Sequence, residues 1–298
     1  MSQSASNNYL LYQAHGSLEF KNEALSSILS YLLLKKQTGT VSATILVYTD
    51  EAKYFQQILG EVSGVKYIEI TAAQLRVWRG DIDFVHRIKV ELLRHALTRF
   101  GGNILYLDSD TYFLKDDTSL FQAIQSGQHF MHVQEGVLSQ TKVLLHQNLY
   151  RFLRMHFAPE WADVSSSTAM YNAGAIGLNE QNIYLVDKVL HLTDTLYKQS
   201  PSHVVEQFAF SYCLQQAELV NEAIPYILHY WHMKDARMVL DTFFTQKAGL
   251  PLEELLREFA KVPMLAAAQT KFAWEARSRW QRGIYRFFGY SWKWPHRV

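Results

Sequence analysis

"GGNILYLDSDTYFLKD" occupies residues 101–116, and the way it is read settles how the rest of the chain is read. Two glycines lead into an apolar run, Ile104 to Leu107, which stops abruptly at Asp108-Ser109-Asp110. A short unbroken apolar run is the pattern of a strand buried on both faces. In extended backbone residues i and i+2 point the same way, so Asp108 and Asp110 aim both carboxylates at one point just past the strand. Two anionic oxygens with nothing apolar between them suit a hard divalent cation. Aspartate is also common in solvated turns, and Asp81-Ile82-Asp83 repeats the spacing without a buried strand leading into it. The triplet alone leaves both readings open.

Outward from this stretch, short β-branched or aromatic runs alternate with longer helical patterns. Strands are expected at 9–15, 43–50 and 65–71, and helices at 20–34, through Phe55 and Ile58, and at 85–100, where Gly101-Gly102 ends the last. This order predicts an α/β fold with a mixed, mainly parallel sheet and helices on both faces. Further on, "HFMHV", "AGAIGL" and "IPYILHYWH" read as strands, and 182–199 and 203–217 as helices. Only helical segments are expected beyond Asp241, with Pro251 near the start of one. A catalytic domain over 1–240 and a helical C-terminal extension over 241–298 follow from that pattern. In such sheets ligands bind beyond the carboxyl ends of the strands, the edge that holds Gln13, Ala14 and His15 as well as the aspartates.

With 298 residues, 48% of them apolar and 14% aromatic, the chain has ample material for a core. A formal charge of +1 gives no global reason for a nucleic-acid partner. Cys213 is alone and has no partner for an internal disulfide, which fits a reducing compartment. The polar N-terminus lacks a signal-peptide profile and no apolar run approaches membrane-spanning length, so a cytoplasmic location is expected. Charge is uneven near the end: Lys271, Arg277, Arg279, Arg282, Arg286, Lys293 and Arg297 stand against Glu275 alone, interleaved with aromatics. Such a tail can lie in a membrane interface, or pack its aromatics on the core with the arginines in water.

Two enzyme classes place Asp-x-Asp after a buried strand. "ILYLDSDT" satisfies the pattern of haloacid-dehalogenase-type phosphatases, with Asp108 as nucleophile, but the later aspartates, Asp163, Asp187, Asp194, Asp235 and Asp241, form no second acidic cluster. The other class is the nucleotide-sugar glycosyltransferases of the GT-A fold. The chain resembles their family 8, the group of glycogenin and the bacterial lipopolysaccharide galactosyltransferases, at several places in order. "HRIKVELL" (86–93) is similar to the family's Arg-x-Lys helix and "ILYLDSD" to its metal motif. "MYNAGAIGLN" (170–179) resembles its Asn-Ala-Gly strand, "VEQFAF" (205–210) its Asp-Gln segment, and "ILHYWHMKD" (227–235) its closing His and Lys. The likeness covers residues 9–235. It departs where the family's acidic residue after the first strand has no counterpart in "QAHGSLEF", where Asp-Gln becomes Glu206-Gln207, and where Lys-Pro-Trp becomes Lys234-Asp235-Ala236.

The resemblance implies a metal-dependent glycosyltransferase of hexosyltransferase type, acting on a nucleoside-diphosphate sugar, a UDP-sugar being favoured, and on a glycan or lipid-linked acceptor. It implies that Asp108, Asp110 and His229 hold Mn2+, or Mg2+, with His232 the competing third ligand; oxygen and imidazole together favour manganese. By the same resemblance Arg87 and Lys89, Ser109, Asn172 and Ala173, and Lys234 contact the donor. Gln13, Ala14, His15 and Tyr48 border its base and ribose, by their position at strand ends. Glu206 and Gln207 line the sugar site as catalytic candidates, and Glu206 or Glu135 would serve as base if the reaction inverts. The resemblance points to retention. It also favours peripheral membrane contact through 271–298. A sugar-nucleotide-binding protein without turnover remains the non-enzymatic reading.

Overall fold

The computed structural model describes residues 7–39, 43–156 and 167–295. Its first half follows the expected alternation: β1 (Asn8–Gln13), α1 (Leu18–Thr38), β2 (Thr44–Thr49), α2 (Ala52–Leu59), β3 (Val65–Glu69), α3 (Ala72–Arg79), α4 (Arg87–Phe100) and β4 (Asn103–Leu107). Shorter elements follow: β5 (Thr111–Phe113), α5 (Thr118–Gln125), β6 (His129–Met131), β7 (Gln134–Val137), α6 (Leu144–His156), β8 (Ala169–Tyr171) and β9 (Ala175–Asn179). The chain ends with α7 (Ile183–Gln199), α8 (Val205–Ala217), β10 (Val220–Glu222), β11 (Ile227–His229), α9 (Asp235–Lys247), α10 (Leu252–Phe259), α11 (Met264–Glu275) and α12 (Arg279–Phe287). Residues 296–298 of the basic tail, Arg297 among them, lie outside the described residues.

Among the described residues the main sheet has seven strands in the order β10-β6-β9-β4-β1-β2-β3. All run parallel except β9, which pairs antiparallel with β4 and β6. The expected mixed, mainly parallel sheet is therefore present. The period-2 alternation of side chains sorts each central strand between two cores. Tyr9, Leu11, Leu46, Tyr48, Ile104 and Tyr106 face α4, α7 and α8. Leu10, Tyr12, Ile45, Val47, Leu105 and Leu107 face α1, α5, α9 and α10. Burial on both faces is why β4 contains no charged residue.

Residue 240 falls inside α9, and Leu240, Phe243, Leu255, Leu256 and Phe259 share one core with the sheet. Past α10, Trp274 is buried whereas α12 buries none of its residues. Among the described residues, no helix is long and apolar enough to cross a membrane.

Two features of the topology set up one edge. Gly101 and Gly102, at φ 63° and 67°, turn the chain sharply from α4 into β4, a conformation glycine adopts without penalty. The two-stranded sheet of β5 and β11 then folds back over the end of β4, with Thr111 opposite His229.

Candidate active site

The carboxyl ends of β1, β4 and β6 and the amino end of the reversed β9 meet at this edge, around a cavity of about 820 Å3. Gln13, His15, Lys89, Asp108, Ser109, Asp110, Asn172, Ala173, Glu206, Gln207 and His229 all line it. Its size is that of a small-molecule site.

Asp110 immediately precedes β5 and His229 ends β11, so strand pairing alone makes them neighbours; the Tyr230 N–H donates to the Asp110 carbonyl at 2.9 Å. Asn172 fixes the ring. Its Oδ1 accepts the Gly174 N–H at 2.9 Å, so His229 Nδ1, 2.8 Å from the same oxygen, is a donor. The ring then turns its Nε2 towards Asp110 Oδ1 at 3.0 Å and Asp108 Oδ2 at 3.7 Å. A lone pair facing two carboxylates is repulsive unless a proton on Nε2 or a cation lies between them. One ligand atom from each of Asp108, Asp110 and His229 lies within 4.8 Å of the others. Two carboxylate oxygens, an imidazole nitrogen and a carbonyl orienting that imidazole fit a divalent cation, manganese included. His232 does not join them: its Nε2 lies 3.7 Å from Glu275 Oε2. With a proton on His229 Nε2 in place of a cation, burial works against the charge on Asp110, but the His229 hydrogen bond and the His229 and Lys234 charges outweigh it and hold the carboxyl below its ordinary range.

Gly174 is small for a definite reason. A Cβ there would lie 2.0 Å from His229 Nδ1, so the space beside this backbone is filled by the ring.

Lys89 reaches the acids from α4. Its Nζ lies 3.1 Å from Asp108 Oδ1 and 3.6 Å from Glu206 Oε1, and donates to the Ala173 carbonyl at 3.1 Å. Burial opposes its charge, but Asp108 and Glu206 hold its pKa above the ordinary value. Glu206, at the first turn of α8, is buried, and burial together with the Asp108 charge raises its pKa to about 7. Lys89 pulls the other way and does not win, because burial is the larger effect. Glu135 braces the far wall, accepting from Asn172 Nδ2 at 3.0 Å and Gln207 Nε2 at 2.8 Å. The Tyr106 hydroxyl donates to Asp108 Oδ1 at 2.7 Å.

Four expected site residues stand apart from the cavity wall. Arg87 and Lys89 do leave α4 on different faces: Arg87 Nε donates to Asp194 at 2.7 Å, and its Nη1 to Glu91 and the Trp78 carbonyl, so its charge is used within the fold. Tyr48 is fully buried, its hydroxyl 2.8 Å from His95 Nδ1. Ala14 is also enclosed, its N–H given to the Tyr48 carbonyl. Lys234 caps α9 in solvent and acts on Asp110 through its charge. Other wall residues were not singled out from the sequence. Arg237 Nε donates to Glu23 Oε1 at 2.8 Å, and Ser109 Oγ to Glu23 Oε2 at 3.3 Å, so the middle residue of the triplet ties to α1. Neither Glu23 nor Arg237 sits in a motif, and their partnership spans 214 residues. Trp231, adjacent to the expected His229 and His232, packs on both rings at 4.9 and 5.1 Å.

No family model matches the chain, and no curated protein matches its sequence. Solved structures do match. Mouse xyloside xylosyltransferase 1, in its apo form, is 13% identical with a TM-score of 0.50, over 72% of this chain and 84% of that one. The apo structure of the bifunctional glycosyltransferase WbbM is 11% identical with a TM-score of 0.52, over 74% of this chain but 39% of its own. The chain has the glycosyltransferase GT-A fold. In this GT-A frame the reversed β9 brings Asn172 and Gly174 to the edge where β4 ends, and α4 supplies Lys89 from beneath. The likeness does not single out family 8.

Proposed function

We propose that the chain is a metal-dependent glycosyltransferase that moves a sugar from a nucleoside-diphosphate sugar, a UDP-sugar by preference, to a hydroxyl of a glycan or lipid-linked acceptor. The observation that carries this reading is the convergence of Asp108, Asp110 and an Asn172-oriented His229 at the open end of the sheet. A divalent cation bound there supplies positive charge against the diphosphate as it leaves. Asp108, Asp110 and His229 hold the site's geometry, Asn172 keeps the His229 proton on Nδ1, and Lys89 adds fixed positive charge beneath the sugar. Gln13 and His15 border the base and ribose. Glu206 and Gln207 face the sugar from α8; with a pKa of about 7 Glu206 is protonated in about half of the molecules at neutral pH, and in that form donates to a sugar hydroxyl. Retention follows if the leaving phosphate takes the acceptor proton, which leaves Glu206 free of the duty of base.

The phosphatase reading gains no support, since the described residues contain no second cluster of acids that could hold magnesium. A catalytic role for 1–240 and an accessory one for 241–298 is part of the proposal. So is peripheral contact with an anionic membrane through 271–298. At 100° per residue, α12 places Trp280, Ile284 and Phe287 on one side and Arg279, Arg282 and Arg286 on the other. Phe287 is 86% exposed and Trp280 76%. Vesicles of anionic phospholipid sediment the full chain and not a chain lacking 277–298; equal sedimentation of both rejects the contact.

Thermal unfolding with a panel of UDP- and GDP-sugars, with and without manganese, tests the main reading. The expected result is stabilisation by one donor class in the presence of manganese only. A chain that no nucleotide sugar stabilises, and that cleaves none of them, sinks it. Donor affinity indifferent to Asp110→Ala points instead to a binder without turnover.

A further inference from the structure

Helix α1 carries polar side chains into an apolar interface. Leu25, Ile28 and Leu29 are fully buried in the core shared with β1 and β4, yet Glu23, Ser27 and Ser30 of the same helix are buried as well. At helix spacing these three share one face, and they meet alternate residues of the stretch that carries the acid pair. Ser109 Oγ donates to Glu23 Oε2 at 3.3 Å, Ser27 Oγ lies 2.8 Å from Thr111 Oγ1, and the Phe113 N–H donates to Ser30 Oγ at 2.9 Å. Asp110, between Ser109 and Thr111, faces the other way, to His229. Buried polar groups gain little by leaving water, so these contacts serve geometry more than cohesion.

Proton counting gives the middle contact a direction. A hydroxyl has one proton, and that of Thr111 goes to the Asp108 carbonyl at 2.9 Å, which can only accept. Ser27 must then donate to Thr111, and the Tyr12 hydroxyl, 2.9 Å from Ser27 Oγ, must donate to Ser27. Burial raises the Tyr12 pKa above its ordinary range, so the phenol keeps the proton it shares. Hydroxyls run in series from β1 through α1 to the turn, each polarising the next. The last bond closes that turn, because Thr111 reaches back across Ser109 and Asp110 to Asp108, whose N–H is held by the Gly174 carbonyl at 2.9 Å.

Resting on the glycosyltransferase reading and its metal, we propose that Thr111, Ser27 and Tyr12 are positioning residues: their hydroxyl chain holds the 108–111 turn in the shape that sets both carboxylates against His229. All three are fully buried and none lines the cavity, so they act only through the acids.

The test follows manganese binding to the full chain, with and without UDP, by loss of the free-ion EPR signal. Thr111→Val keeps the β-branched shape without the hydroxyl and should weaken manganese about tenfold or more, as loss of support behind a ligand does. Thr111→Ser should restore affinity to within about threefold of the parent. Tyr12→Phe combined with Ser27→Ala removes donor and acceptor together, which spares the fold, and should weaken manganese about threefold or more. Ser30→Ala loses a bond between the same helix and β5 outside the hydroxyl chain; it should lower the denaturation midpoint and leave manganese affinity within about twofold. Parent-like binding by a folded Thr111→Val, or by the double variant if the valine chain does not fold, overturns the proposal. So does Thr111→Ser binding no tighter than Thr111→Val, or an equal loss in Ser30→Ala, which would make the effect one of general stability. A parent that binds no manganese even with UDP sinks the glycosyltransferase reading and the hydroxyl chain with it; a parent that binds, unmoved by these substitutions, sinks the chain alone.

Discussion

Asp108-Ser109-Asp110 and Asp81-Ile82-Asp83 have the same spacing in opposite surroundings. The first leaves β4, every residue of which is buried, and β5 carries Asp110 straight against His229. The second lies in the turn between α3 and α4 with both acids exposed, and the ion pair Asp83 makes is a 3.5 Å contact with Arg79. In water two carboxylates are screened and need no partner. The Asp108 and Asp110 side chains keep only 27 and 13% of their exposure, and there their mutual repulsion has to be offset. The chain offsets part of it with Lys89 from one side and turns the His229 imidazole towards it from the other. What distinguishes a site from a turn is therefore the scaffolding that prevents the charges from moving apart.

The widest separation between the two triplets is expected in function. Asp108→Asn and Asp110→Asn should each lower manganese-dependent sugar transfer by about 100- to 1000-fold, the scale on which a fixed transition-state charge acts. Asp81→Asn and Asp83→Asn should leave it unchanged. Isothermal titration of manganese and UDP into all four variants checks the same contrast at the level of binding, and a silent Asp110→Asn would break it.

How far this contrast could be read beforehand depends on the range of the interactions involved. The strand-helix alternation to β4 is local periodicity, and it placed Asp108, Asp110 and Lys89 on elements that do converge. "IPYILHYWH" was expected as one long strand, yet only Ile227–His229 pairs, because the chain turns away once Tyr230 has bonded to the Asp110 carbonyl. The short strands β7 and β8 carry too little period to stand out, whereas α6, with Leu145, Leu149, Phe152 and Leu153 at helix spacing, was legible in the sequence. Arg87 shows the limit most clearly: its resemblance to a donor-binding arginine is local, while the Asp194 that occupies its guanidinium is 107 residues away. Arg237 and Glu23 were missed for the same reason in reverse.

A smaller separation is expected in the response to pH. The native Glu206 carboxyl keeps its proton up to about pH 7, whereas the unfolded one releases it in the ordinary range near 4.5. Between those values the native state binds more protons, so stability declines as pH rises through that window and levels off above it. Glu206→Gln removes this contribution to the slope and should leave the variant on the order of 1–3 kcal/mol more stable than the parent at pH 8. Denaturant melts at pH 5 and 8 measure it. Asp81→Asn, on an exposed acid, should reproduce the parent's slope, and a Glu206→Gln variant whose slope equals the parent's would show that Glu206 is ionised throughout.

The smallest effect concerns what the second triplet is for. Asp83 has φ 45°, the left-handed region, and among the described residues it is alone in this apart from glycines. It closes the turn after α3 by donating its N–H to the Gly80 carbonyl at 3.1 Å, and the Phe84 N–H then reaches the Arg79 carbonyl at 3.2 Å. Aspartate tolerates this conformation better than residues whose short side chain offers the backbone no hydrogen bond. Asp83→Ala should therefore cost about 1 kcal/mol, whereas Asp83→Gly should stay within about 0.5 kcal/mol of the parent, relief of strain being offset by the freedom glycine gains when unfolded. Neither substitution should alter manganese affinity. Equal stability of the alanine and glycine variants would mean that the turn does not depend on this backbone angle, and the aspartate would then need an electrostatic reason for its place beside the entrance to α4.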